Sequence, residues 1–161
     1  MIRKKICLLG AYAVGKTSLV RRFVHSEFDE RYQTTVGVKI DKKLCQVGEQ
    51  QVSLVIWDLH GEDRWQEVRS SYMRGAAGAL LVADGTRLES LQVMIELRAR
   101  LLEQNPNAKL VNLVNKIDRE EDFAISPDEW RARIDWGPVV FSSASSGLGV
   151  EQAFIELAGG R

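Results

Sequence analysis

Short apolar runs alternate along this chain with stretches in which apolar residues recur at helical spacing, the pattern of an α/β protein with a mostly parallel sheet. Ile6-Cys7-Leu8-Leu9 predicts a buried strand, and residues 18–24 predict a helix after it. Residues 26–37 are polar without periodicity and predict a loop. Strands over 38–47 and 51–57 are close enough across Gly48-Glu49 to form a hairpin, one antiparallel pair at a sheet edge. Residues 60–71 predict a polar loop merging into a weak helix, and 78–83 a buried strand that stops at Asp84-Gly85. Leu88, Leu91, Met94, Ile95, Leu97, Leu101 and Leu102 line one face of a long helix ending near Asn105-Pro106. That stripe is core, with no site assigned to it. A strand over 109–114 comes next, then a helix opened by Ser126-Pro127-Asp128-Glu129 with a cap, a first-position proline and acid in its first turn. A strand over 139–141 and a helix over 150–157 close the pattern. No repeat, low-complexity tract or linker interrupts it, so the 161 residues predict one domain over 1–161.

Composition narrows the partners. With 22 basic and 22 acidic residues, the chain lacks the net positive charge on which many nucleic-acid binders rely, so no nucleic-acid partner is expected. No apolar run is long enough to span a bilayer, and Met1-Ile2-Arg3-Lys4-Lys5 leads straight into a strand, unlike a signal peptide. Cys7 and Cys45 lie in strand-like segments without metal-ligand spacing, which predicts reduced core thiols and a cytoplasmic protein. The last residues carry no cysteine for prenylation and residue 2 is not glycine, so no direct lipid anchor is expected of the chain as it stands. A monomer is expected.

The chemistry starts at Gly10-Ala11-Tyr12-Ala13-Val14-Gly15-Lys16-Thr17, which fits G-x-x-x-x-G-K-[ST] between a predicted strand and a predicted helix. The glycines let successive N–H groups turn inward onto phosphate oxygens, and the helix start adds partial positive charge. Lys16 then reaches the outer phosphates and Thr17 offers a hydroxyl to Mg²⁺. Further polar clusters fall at predicted strand ends, where ligands of open α/β sheets bind. Asp58 and Gly61 form a D-x-x-G in which the carboxylate holds Mg²⁺ through water and the glycine N–H meets a terminal phosphate. Such a pair alone is also ordinary turn chemistry. Asn115-Lys116-Ile117-Asp118 supplies a carboxylate able to accept from guanine N1–H and its exocyclic amine, a pairing that adenine cannot make. Ser142-Ser143-Ala144-Ser145 offers backbone N–H groups to a base oxygen, and Thr34-Thr35 a loop hydroxyl to a metal.

Together these residues resemble a Ras-superfamily small GTPase, closest in pattern to the Rab-like branch, over essentially the whole chain. Tyr32-Gln33-Thr34-Thr35-Val36-Gly37 is similar to the Rab switch I, and Ile56-Trp57-Asp58 together with Ser70-Ser71-Tyr72-Met73-Arg74-Gly75-Ala76 to switch II and its flanks. The resemblance implies a P-loop NTPase G domain, a six-stranded, mostly parallel sheet with one antiparallel edge hairpin and helices on both faces. It implies a molecular switch that binds GTP or GDP with Mg²⁺ and hydrolyses GTP slowly, signalling through switch I (about 28–38) and switch II (about 58–74). By position, Ala13, Val14, Gly15, Lys16, Thr17 and Ser18 hold the phosphates. Phe28 lies against the guanine ring, which Asn115, Lys116, Asp118, Ser143, Ala144 and Ser145 read. Thr17, Thr35 and Asp58 serve Mg²⁺, and Lys16, Thr35, Gly61 and Glu62 surround the reaction. Ile40, Trp57 and Tyr72 occupy the Rab apolar triad met by effectors, with exchange factors and activating proteins expected on the same loops; half-buried core is the alternative for these three.

Departures from the family pattern set the open questions. Glu62 replaces the usual Gln, so that an ionised side chain can only accept hydrogen bonds and adds charge near phosphate. His60 stands where a small alanine is usual, and Tyr12 and Ala13 replace small loop residues, the bulky ring of Tyr12 being expected to obstruct an arginine finger supplied by a partner. Ser145 replaces a lysine. Arg31 and Arg64 are the nearest arginines in sequence, read as solvated charges rather than fingers. A catalytically impaired GTP/GDP-binding interaction module is therefore the alternative to a slow GTPase, and a P-loop ATPase or small-molecule kinase the third reading.

Overall fold

The computed structural model describes residues 2–11, 13–24, 38–59 and 70–159. Their strands form one six-stranded sheet in the order β2-β3-β1-β4-β5-β6. These are β1 (Ile2–Gly10), β2 (Val38–Val47), β3 (Gln50–Leu59), β4 (Gly78–Asp84), β5 (Lys109–Asn115) and β6 (Val139–Ser142). All neighbours run parallel except β2 and β3, an antiparallel hairpin whose register closes with Val47 opposite Gln50. The α-helices are α1 (Lys16–Val24), α2 (Glu89–Gln104), α3 (Pro127–Arg133) and α4 (Val150–Gly159), with short 3₁₀ turns at Ser70–Met73 and Ile117–Asp122. The expected α/β architecture, edge hairpin included, is the one observed.

Period-two alternation sends each strand's side chains to two separate cores. Ile6 and Leu8 of β1 join Leu80 and Val82 of β4 beneath α1 and α4, where Phe23 and Phe154 stack with ring centroids 4.2 Å apart. Cys7, Leu9, Ala79, Leu81 and Ala83 face the other way, onto Leu91, Met94, Leu97 and Leu101 of α2 and the fully buried Trp130 of α3. Burial raises the Cys7 thiol to about 11, opposed by Lys5, so it stays protonated and inert at neutral pH. The Ser126 hydroxyl accepts from the Glu129 N–H at 3.2 Å, the cap expected for α3. Among the described residues no helix is long and apolar enough to cross a membrane.

This topology fixes where a ligand belongs. β1 lies between β3 and β4, and the chain fills one side of it before moving to the other. The crevice at the carboxyl ends of the strands opens at such a reversal. β1 ends there at Gly10, β3 at Leu59, β4 at Asp84, β5 at Asn115 and β6 at Ser142, so every polar cluster of the sequence on described residues lies beside that crevice.

Candidate functional site

Between β1 and α1 the backbone turns through left-handed conformations at Ala13 (φ 63°) and Gly15 (φ 104°). Gly15 is required twice over: its φ disfavours an L side chain, and a Cβ there would collide with the Asn115 amide nitrogen. Lys16 opens α1 and folds back over the turn, its Nζ donating to the Gly10 carbonyl at 3.1 Å and to Ala11 at 3.3 Å. Burial pushes its pKa down, opposed by the Asp58 charge and assisted by Arg87. The result is a desolvated cation with one N–H direction left for an anion.

Beside it, Thr17 Oγ1 donates to Asp58 Oδ2 at 2.7 Å, linking α1 to the end of β3. Asp58 is fully buried, and its other oxygen, Oδ1, has no hydrogen-bond partner among the described residues. An orphaned buried carboxylate oxygen is costly, which a nearby cation or an ordered water relieves. With its proton given to Asp58, the Thr17 oxygen keeps its lone pairs for a metal. Among the described residues no group of three His, Cys, Asp or Glu side chains gathers as a metal site. One hydroxyl and one carboxylate suit an oxygen-loving, partly hydrated ion such as Mg²⁺, which borrows its other ligands from water and phosphate. These residues therefore fit the expected metal.

On the far side, Asn115 joins the turn before α1 to the end of β6. Its Nδ2 donates to the Val14 carbonyl at 2.8 Å, and its Oδ1 accepts from Ser142 Oγ at 3.1 Å. Lys116, left-handed at φ 74°, donates to the Ala13 carbonyl at 3.4 Å and pairs with Asp84 at 2.9 Å. Burial raises the Asp84 pKa, but hydrogen bonds from Lys116, Thr86 and Arg87 outweigh it and hold the carboxyl below the usual carboxylate range. Asp118 is exposed at the mouth, its pKa lowered first by the Ser143 hydroxyl, opposed by burial, and lowered further by its own backbone N–H, Ser145 and Arg119. Ser143 and Ser145 hydroxyls lie 3.0 Å apart, and Ala144 sits between them, half-buried. Ser18 is exposed and borders an open cleft with Arg21, Arg22 and Ala144.

Ile40 and Trp57 are paired across the β2–β3 ladder, and the Trp57 ring lies 6.3 Å from that of Tyr72. All three are half-buried against the α2-side core, and Lys5 Nζ sits 3.8 Å above the Trp57 ring while donating to the Arg74 carbonyl at 2.7 Å. Phe28, Thr34, Thr35, His60, Gly61 and Glu62 lie outside the described residues, as do Tyr12, Arg31 and Arg64. Two polar side chains at the crevice had no assignment in the sequence. Asp84 was legible only as the acid ending a buried strand, and Arg22 carried no signal because its partners stand more than 120 residues further on.

Comparison with known proteins gives the arrangement its relatives. The sequence profile of the Ras family matches residues 5–160. The chain is similar to the Ras-related protein Rab-7b of Homo sapiens, at 35% identity over 162 residues covering 96% of this chain and 80% of that protein. It is similar also to the Ras-related proteins RIC2 of Oryza sativa subsp. japonica (34% identity; 95% and 72% covered) and RABA5b of Arabidopsis thaliana (36%; 93% and 70%).

Proposed function

The chain belongs to the Ras family of small GTPases, on its Rab-like side, and from that premise we propose that it is a guanine-nucleotide switch that binds GTP and GDP with Mg²⁺ and hydrolyses GTP slowly. The observation that carries this reading is the single Asn115 amide that ties the turn before Lys16 to the carboxyl end of β6. A ligand with phosphates at one end and a base at the other fits a crevice whose two ends are joined that way.

In this reading Lys16 keeps its loop carbonyls and offers its remaining donor to β- and γ-phosphate oxygens, assisted by N–H groups of 13–18. The phosphate charge compensates a cation that burial has deprived of water. Asp118, ionised at neutral pH, accepts from guanine N1–H and the 2-amino group, while Ala144 and its neighbours meet the base oxygen with backbone N–H groups. Thr17, Thr35 and, through water, Asp58 would hold Mg²⁺, which would supply charge neutralisation at the phosphates. Hydrolysis adds water to the γ-phosphorus and releases GDP and phosphate. Gly61 donates to the γ-phosphate, and Glu62 acts only as an acceptor toward the attacking water. Switch segments about 28–38 and 58–74 then distinguish the two nucleotides, and effectors, exchange factors and activating proteins read them alongside Ile40, Trp57 and Tyr72.

The second reading, a catalytically impaired binding module, is favoured by Glu62 itself, whose charge opposes a highly charged phosphate. Single-turnover GTP hydrolysis decides between them, with Lys16→Ala as the control for contaminating enzyme. Phosphate release above that control is expected; release equal to it, with or without a cell extract supplying partners, leaves the binding module.

A further inference from the structure

Arg22 stands on the exposed side of α1, where a solvated charge would be the ordinary assignment. Its guanidinium instead meets two consecutive backbone carbonyls of the loop after β6. Nε donates to Ala144 O at 2.9 Å and Nη2 to Ser145 O. A planar fork with donors in fixed directions suits that pair of acceptors better than a lysine point charge would. The loop that Arg22 holds is otherwise closed on itself, through Ser143 N to Leu148 O at 2.9 Å and Gly147 N to Ser143 O at 2.8 Å.

Peptide planarity turns this contact into a constraint on the crevice. In a trans peptide the carbonyl of one residue and the N–H of the next point in opposite directions. Fixing the Ala144 carbonyl on Arg22 therefore turns the Ser145 N–H away from the guanidinium. Fixing the Ser145 carbonyl does the same for the Ser146 N–H, which donates to Ser143 Oγ at 3.1 Å. The same Ser143 hydroxyl lies 3.0 Å from that of Ser145, so the segment carrying the two gripped carbonyls is tied into one frame.

Resting on the guanine reading above, we propose that Arg22 is a positioning residue for base selectivity: by gripping the Ala144 and Ser145 carbonyls from behind, it aims the Ser145 N–H at the guanine O6. Its guanidinium never touches the base. Because arginine stays protonated throughout the working range, the grip is insensitive to pH.

The test uses full-length protein with Mg²⁺ and compares GDP with two analogues. In 6-thio-GDP a sulfur, a poorer acceptor, replaces O6 while N1–H and the 2-amino group remain. IDP keeps O6 and lacks the 2-amino group that Asp118 reads. In Arg22→Ala the affinity for GDP is expected to fall by about threefold to tenfold, the effect of hydrogen bonds of ordinary net strength. The preference for GDP over 6-thio-GDP narrows toward one, and the preference over IDP is kept. Arg22→Lys, which retains a single flexible donor group, falls between native and Ala and serves in place of the Ala variant if that fails to fold. An equal loss for GDP and 6-thio-GDP reduces Arg22 to a structural prop and overturns the inference, as does no loss at all. A native protein that binds no GDP overturns the guanine reading itself, whatever the variants do.

Discussion

At the base end of the crevice the polar groups already have one another. Asn115 satisfies Val14 and Ser142, Lys116 spans Ala13 and Asp84, and Arg22 holds two carbonyls of the β6–α4 loop. At the metal end, Asp58 gives one oxygen to Thr17 and keeps a second, buried, without a hydrogen-bond partner among the described residues. The first end is preorganised: a base meets donors and acceptors whose positions are set by bonds it does not have to form, so binding energy goes into selectivity. The second end is under-satisfied and gains from whatever cation or phosphate arrives. Selectivity should therefore depend on the base end, and dependence on ions on the metal end.

The largest expected effect strikes the base end alone. Asp118→Asn replaces the acceptor of two guanine donors by an amide, so GDP affinity should fall by about 10³-fold or more and xanthosine diphosphate should gain on it. Competition binding measures both, and an unaltered preference would remove Asp118 from the reading of the base. Thr17→Ala strikes the metal end. GDP release, accelerated by chelator in the native protein, should already be fast in the variant, by about tenfold to a hundredfold, and insensitive to chelator. A variant that keeps the native chelator response would place the ion elsewhere. Asn115→Ala leaves the Val14 carbonyl and the Ser142 hydroxyl without their partner, at a cost of about 1–3 kcal/mol in denaturant unfolding. That loss should persist without Mg²⁺, because the tie is internal to the fold; a loss seen only with metal and nucleotide present would blur the contrast between the ends.

Asp84 gives the smallest effect and one with a definite pH window. Its carboxyl titrates lower in the folded chain than in the unfolded one, so its contribution to stability is complete above the unfolded pKa of about 3.9. The contribution disappears as pH falls through the lower, folded value. Urea midpoints should accordingly drop more steeply below about pH 4 for the native protein than for Asp84→Asn; parallel curves would show that Lys116, Thr86 and Arg87 do not stabilise the ionised form.

What could be read in the sequence was what depends on neighbours in the chain. The apolar alternation of 6–9 and 78–83, the hairpin at Gly48-Glu49 and the Ser126 cap all reappear in the fold because strand period, turn chemistry and capping are local. The phosphate loop was legible for the same reason, since a spacing of glycines and a lysine describes one turn. The β1 strand runs four residues further toward its start than the apolar run suggested, because Ile2–Lys5 pair with Val52–Val55 of β3 while remaining partly exposed. Lys116–Asp84, Arg22–Ala144 and Lys5–Trp57 were invisible, each being a polar contact between segments that only the sheet order brings together. The same holds for Asn115, assigned from sequence to the base, whose amide in the fold lies between the Val14 carbonyl and the Ser142 hydroxyl.

The most direct test of a preorganised, guanine-selective crevice is displacement of labelled GDP from the native protein in the presence of Mg²⁺. Unlabelled GDP and GTP should displace the label at near-stoichiometric concentrations, and ATP should fail to do so even at about a thousandfold excess, because adenine has an acceptor at N1 and no 2-amino group to donate to Asp118. Displacement by ATP at concentrations similar to those of GTP would contradict the account.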